Sequence, residues 1–112
     1  MTHYKNLLKI INDNNEQLQK LDLDYHELVE KGSVETSELY KVESARRTAR
    51  NNYSTEISDY IIQNIGELTM KDVALLDYVP PRVWANVTAK ARLVAQAIYQ
   101  GIELVRDDTV SL

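Results

Sequence analysis

The chain has 112 residues with a net charge of −4, and 44% of the residues are apolar and 27% charged. These values suit one globular domain with a modest core. The absence of cysteine excludes disulfides, thiolate zinc sites and cysteine nucleophiles. No segment approaches the ~20 apolar residues of a membrane span, and bulk acidity disfavours nonspecific nucleic-acid binding. The chain begins without the apolar run of a signal peptide. We therefore expect a cytoplasmic protein with no membrane partner.

The beginning of the chain carries the pattern of one long helix, with Thr2 as a suitable N-cap and Gly32 as a suitable C′ residue. Between them, apolar residues alternate at spacings of three and four, and Asn14 is the single polar position of this seam. The apolar members are Tyr4, Leu7, Ile11, Leu18, Leu21, Tyr25 and Leu28. Asn14 either fixes the register against a partner helix or marks a partly hydrated position.

A second long helix is predicted from Val34 to Ile65, with Ser33 as its cap and Gly66 as its end. Because the connection after the first helix is short, the two helices should be antiparallel neighbours. The polar run at 51–54 leaves open whether the second helix is continuous, since Asn and Ser compete for backbone hydrogen bonds.

The second helix contains the densest basic cluster of the chain, formed by Arg46, Arg47 and Arg50. Arg46 and Arg50 share one helix face because they are four residues apart. The cluster is a candidate binding site for phosphate or for an acidic surface of a partner protein. The alternative is a solvated face that is neutralised by Glu43 and by the acids of the first helix.

A connector helix is predicted from Met70 to Asp77, because Thr69 and Asp72 have the spacing of a capping box. Leu68 and Val73 have the spacing of a hydrophobic staple. Two prolines then break the helix, and Pro81 suits the first position of a long final helix. Helical apolar spacing continues to Val105. Residues 107–112 are expected to form a flexible tail.

Residues 68–87 resemble the helix-turn-helix of LacI-type repressor headpieces. The likeness is carried by the run Thr69-Met70-Lys71-Asp72-Val73-Ala74 followed by Val79 and Val87. The resemblance implies that Arg82, Asn86 and Lys90 project together from a recognition helix into the major groove of DNA. Arg and Lys pair with guanine there, and Asn pairs with adenine. The alternative is that the proline turn only redirects the chain.

Two pairs of carboxylates resemble the metal-binding motifs of MazG-type nucleoside triphosphate pyrophosphohydrolases. Glu27-x-x-Glu30 and Glu56-x-x-Asp59 each place two carboxylates on one helix face. The resemblance implies a magnesium site acting on phosphates. In a simple hairpin the two pairs would lie roughly 25 Å apart, so this site requires a chain reversal near 51–54. For His3 and His26 we expect surface positions rather than metal binding.

We predict an all-α domain over residues 1–106, a three- to four-helix bundle. It consists of a long antiparallel helical hairpin, a short connector helix and a long C-terminal helix. The sequence shows no catalytic constellation and no cofactor motif. We therefore expect a non-enzymatic helical interaction or regulatory protein, working as a homodimer, of a kind that suits a bacterial or phage accessory factor. The alternative is a DNA-binding regulator dimerised by the hairpin, and the third hypothesis is a magnesium-dependent nucleotide hydrolase.

Overall fold

The computed structural model describes residues 2–32 and 36–101, except for the side chain of Thr36, and every regular element in these ranges is helical. The all-α fold is thus confirmed. The elements are α1 (Thr2–Lys31), α2 (Thr36–Gln63), α3 (Met70–Ala74), a 3-10 helix (Leu75–Tyr78), α4 (Pro81–Trp84) and α5 (Ala89–Tyr99). None of these helices has both the length and the apolar content needed to cross a membrane. The predicted Ser33 cap and the tail 107–112 lie outside the described residues.

Helices α1 and α2 form the predicted antiparallel hairpin. Three pairs along its length show the direction, namely His3 with Tyr60, Asn15 with Tyr53, and Asp22 with Arg46. Helix α1 ends at Gly32, whose φ of 67° lies in the left-handed region that favours glycine. Helix α2 is continuous through 51–54. The Ser54 hydroxyl there donates to the carbonyl of Asn51 without interrupting the helix.

The connector begins with the predicted capping box. The Asp72 N–H donates to Thr69 Oγ1 at 3.2 Å, and the Thr69 N–H donates to Asp72 Oδ2 at 2.8 Å. Leu68 and Val73, the predicted staple, are both buried in the core. The 3-10 helix continues from α3 without a gap, and Pro81 then occupies the first turn of α4 as predicted.

The C-terminal part differs from the prediction, because α4 and α5 replace the single long helix. Residues 85–88 interrupt it, and Thr88 is extended with φ −59° and ψ 149°. The Thr88 hydroxyl accepts from the N–H of Ala91, so α5 begins with its own N-cap. The N–H of Thr88 donates to the buried Ser58 hydroxyl of α2 at 3.1 Å. These two bonds hold the interruption in place.

One hydrophobic core joins the half of the hairpin farther from Gly32 to the elements that follow α2. Its largest fully buried side chains are Leu7, Ile11, Tyr53, Ile57, Ile61, Val83 and Val87. Burial of each such side chain contributes about 1.5–3 kcal/mol. The core ends at Leu18 in α1 and at Ala49 in α2. The half of the hairpin nearer to Gly32 therefore lies outside the core.

We expect the change Ser58→Ala to destabilise the fold by about 1–2 kcal/mol, since the N–H of Thr88 loses its acceptor. Urea denaturation followed by circular dichroism measures this effect. Ser44→Ala is the matched control, because it makes the same chemical change at a half-buried site of the same helix. Equal midpoints for the two variants would show that this bond does not hold α5.

Candidate functional site

The Asn15 side chain joins three parts of the fold. The hydroxyl of the fully buried Tyr53 donates to Asn15 Oδ1 at 2.9 Å. Asn15 Nδ2 donates to the carbonyl of Tyr78 at 3.0 Å. Because that carbonyl only accepts, the amide has one consistent orientation. Asn15 thus fixes the end of the 3-10 helix against α1, and the two prolines follow after Val79.

A groove of about 660 Å³ lies beside this junction, between α1, α2 and the start of α4. We call it the arginine groove because three arginines line it, namely Arg46, Arg50 and Arg82. Its remaining lining residues are Asn15, Leu18, Gln19, Asp22, Pro80, Pro81 and Val83. The wall is thus part apolar and part cationic.

Arg46 is held firmly in this groove. Its Nε donates to Asp22 at 2.8 Å, its Nη1 donates to Glu43 at 3.1 Å, and its guanidinium lies 4.4 Å from the ring centre of Tyr25. Only 14% of the side chain is exposed. Arg50 is similarly covered at 18% exposure, but its nearest carboxylate oxygen, on Glu43, is 3.8 Å away, beyond hydrogen-bond distance.

The predicted basic cluster is therefore divided. Arg46 and Arg50 line the arginine groove, whereas Arg47 is exposed and lies outside its lining. Arg82, which the sequence assigned to a DNA-reading helix, joins the first two. The alternative interpretation was that Glu43 and an acid of α1 neutralise this cluster. That pairing holds for Arg46, whereas Arg50 keeps N–H donors without a hydrogen-bonded carboxylate.

The predicted recognition helix is wrong. Arg82 lies in α4, Asn86 in the turn after it, and Lys90 in α5, so the three residues do not share a helix. Asn86 Nδ2 instead donates to the carbonyl of Arg82 at 3.3 Å. The interruption capped by Thr88 is the physical reason. All three side chains are exposed, but α4 has only four residues.

The predicted magnesium site is not assembled either. Glu56 accepts from Asn14 at 2.9 Å, near the middle of the hairpin. Glu27 lies thirteen residues beyond Asn14 in α1, roughly 20 Å along the axis, and Glu30 is one turn further. Because α2 is continuous, no reversal brings Asp59 closer to them. Within the described ranges, no group of three or more His, Cys, Asp or Glu residues has metal-binding geometry.

The two histidines contact aromatic rings. Nδ1 of the half-buried His3 lies 2.7 Å from the Tyr60 hydroxyl, and Nε2 lies 3.5 Å from Glu67. His3 therefore links the start of α1 to the end of α2 and to the turn that follows. His26 is exposed and meets the edge of Tyr25.

The half of the hairpin beyond the core presents a further surface, which adjoins the arginine groove at Gln19, Asp22 and Arg46. We call residues 19–32 and 37–48 the distal hairpin, and none of them is buried. Leu23 is 58% exposed and Tyr40 is 69% exposed, and Val29 is also exposed. Three large apolar side chains are thus exposed on this half of the hairpin, and exposed apolar surface is typical of contact sites for other chains.

A second groove, of about 760 Å³, lies at the opposite end of the core between α3, the 3-10 helix, α4 and α5. Trp84, Leu93 and Tyr99 contribute its apolar surface, and Asp77 and Arg92 contribute charges. The sequence did not indicate this groove, because it depends on the angle between α4 and α5.

Comparison of the chain with known protein families, with curated proteins and with solved structures found no significant match. The function is therefore argued from the described residues alone. The sequence analysis named all three groove arginines, although it placed Arg82 in a different site, and it missed Asn15. The available signal was Tyr53, a seam residue whose buried hydroxyl requires a partner.

Stability should fall above pH 10 because of Tyr53. Burial, together with the nearby charge of Glu56, raises the pKa of the Tyr53 hydroxyl well above its ordinary value. The unfolded chain ionises this group near pH 10, whereas the folded chain does not, so rising pH favours unfolding by at most about 1.4 kcal/mol per pH unit. Tyr53→Phe should lessen the slope of unfolding free energy against pH between 10 and 11.5.

At pH 7, the free energy of unfolding of Tyr53→Phe should be about 1 kcal/mol lower, because this variant lacks the hydrogen bond to Asn15. Tyr40→Phe, at an exposed position of the same helix, should leave both quantities unchanged. An alkaline slope in Tyr53→Phe equal to that of the unchanged protein would contradict the assignment. Denaturant titrations at fixed pH values measure both effects.

Proposed function

We propose that this chain is a non-enzymatic, cytoplasmic interaction protein that acts through protein–protein contacts and pairs with a second copy of itself through the distal hairpin. One observation carries the proposal. From residue 19 to residue 48, no residue whose burial the structure describes is buried, although the seam of apolar residues continues through both helices. A helical pair with such a seam gains stability when further helices cover it.

The dimensions of the chain support this proposal. Its radius of gyration is 16.9 Å and its longest extent is 55 Å. A compact domain of this length has a radius of gyration of roughly 13 Å. Two helices alone cannot enclose their shared seam, so Leu21 and Leu28 remain half-buried. Leu23 and Tyr40 lie outside the seam and face solvent.

Charge supports a second copy as the covering chain. Among the exposed side chains of the distal part of α1, the acids Asp24, Glu27 and Glu30 outnumber the bases Lys20 and Lys31. In the distal part of α2, the bases Lys41 and Arg47 outnumber the acid Glu38. A two-fold axis places α1 of one copy against α2 of the other, so these acids face bases on both sides of the axis. The resulting four-helix arrangement would cover the seam and pair opposite charges.

The other two hypotheses each lack a required geometry. DNA reading needs Arg82, Asn86 and Lys90 on one helix, and they lie on three elements. The hydrolase needs the carboxylates of α1 and α2 to meet, and the antiparallel pairing separates them. The interaction function needs only surfaces, and the chain presents two, the distal hairpin and the arginine groove.

Light scattering coupled to gel filtration should give twice the 12.9 kDa chain mass at micromolar concentration. Tyr40→Glu combined with Leu23→Glu should give the mass of one chain, because both positions place a charge in the proposed interface. The helical circular dichroism signal should persist, since both side chains are exposed in the single chain.

The matched control is Tyr99→Glu combined with Leu93→Glu, which places the same charges on exposed positions at the other end of the molecule. This control should remain dimeric. A single-chain mass for the unchanged protein at 100 micromolar, or dissociation of the control, would contradict pairing through the distal hairpin.

A further inference from the structure

We propose that the arginine groove binds an acidic segment of a partner protein, with carboxylates of the segment held by Arg50 and Arg82. This rests on the proposed function, in that it assumes an interaction protein, and it names the chemistry of the partner. It does not depend on pairing through the distal hairpin, because the groove is formed by residues of one chain.

The charges in the groove are not balanced. Three guanidinium groups line it, but within the described part of the chain only two carboxylates lie near them. Asp22 is in the lining, and Glu43 beside the groove pairs with Arg46 at 3.1 Å and lies 3.8 Å from Arg50. Arg46 already donates to Asp22 and to Glu43. Each guanidinium carries five N–H donors, so Arg50 and Arg82 retain donors for an incoming anion. A carboxylate accepts two of them side by side from one arginine.

The surroundings strengthen such a contact. Arg50 is largely covered, and the floor of the groove is formed by the buried side chains of Leu18 and Val83. Low polarity around a charge pair increases its attraction. A partly covered arginine has also lost much of its hydration before the partner arrives, so less remains to be removed on binding.

The apolar part of the wall selects the kind of anion. Pro80 and Pro81 offer ring surface without an N–H donor. Leu18 and Val83 extend this apolar surface. A segment in which Asp or Glu alternates with apolar residues satisfies the arginines and covers the prolines. A phosphate group satisfies only the arginines.

The shape of the site disfavours a nucleic acid. The arginines converge on a concave space, whereas binding to duplex DNA aligns exposed cations along a groove or a phosphate backbone. Asp22 lies in the same lining, and it repels a phosphate, which carries up to two negative charges, more than a singly charged carboxylate. The net charge of −4 adds a long-range repulsion for polyanions. A short peptide with a few carboxylates carries less charge than a polyanion and meets less of this repulsion.

A peptide-display selection tests the proposal without assuming a partner. The full chain is immobilised, and random twelve-residue peptides are selected on it at physiological salt. We expect Asp and Glu to be enriched several-fold over the unselected library, alternating with apolar residues. Enrichment of neutral or basic peptides would overturn the proposal.

The same selection is repeated on the double variant Arg50→Gln and Arg82→Gln. Arg46 is left unchanged, because its contacts with Asp22 and Tyr25 hold the hairpin together. The enrichment of acidic residues should disappear on the double variant and persist on Arg47→Gln, the matched control outside the groove. Persistence on the double variant, or loss on Arg47→Gln, would assign the binding to general charge and overturn the proposal.

A selected peptide is then synthesised, labelled and titrated by fluorescence polarisation. Arg50→Gln and Arg82→Gln should each weaken binding about tenfold, the effect of losing a charge-assisted hydrogen bond. Duplex DNA and inorganic phosphate serve as competitors. Displacement of the peptide by DNA at equal concentration would favour a nucleic-acid site and overturn the proposal.

The test of peptide binding can be separated from the test of dimerisation. Tyr40→Glu combined with Leu23→Glu should bind the peptide as well as the unchanged chain does, because neither residue lines the groove. If the dimer is lost and the peptide still binds, the groove proposal stands. If the dimer is retained and no peptide binds, only the groove proposal is overturned.

Discussion

One side chain, Asn15, holds the end of the 3-10 helix against the hairpin. Its amide accepts from the Tyr53 hydroxyl and donates to the Tyr78 carbonyl, so it connects both hairpin helices to the connector. Burial of the Tyr53 ring requires a partner for its hydroxyl, since an unsatisfied buried hydroxyl costs about 1–3 kcal/mol. The bond to Tyr78 also places Pro80 and Pro81 against α1. This placement brings Arg82 to the same groove as Arg46 and Arg50, which lie more than thirty residues earlier in the chain.

The two halves of the hairpin differ because the rest of the chain covers only one of them. Helix α5 has 11 residues and spans about 16 Å, whereas α1 spans about 45 Å. The connector and α4 are shorter still. Ser58 holds the start of α5 against the near half of α2, and the core ends at Ala49. The continuation of the apolar seam beyond the core therefore has no partner within the described residues.

Local signals in the sequence predicted the elements well, whereas relations between distant residues were missed. The capping box of Thr69 and the left-handed Gly32 each depend on a few neighbouring residues, and both were predicted correctly. The interruption before Thr88 was missed because Val87 and Ala91 keep helical spacing across it and are both buried. The spacing of apolar residues shows which side chains face the core. This spacing can continue across a point where the helical backbone hydrogen bonds are interrupted. The sequence could not indicate the arginine groove, because Arg82 is distant from the other two arginines along the chain and only the fold brings them together.

The broken C-terminal helix and the arginine groove are two results of the same geometry. Helix α4 is short enough to place Val83 in the core while Arg82 turns towards α2. Glu43 then links the groove to the distal hairpin, because it accepts from Arg46, lies 3.8 Å from Arg50, and helps to hold Arg46 over the ring of Tyr25. The arginine groove and the distal hairpin therefore meet at Arg46 and Glu43, which are hydrogen-bonded to each other.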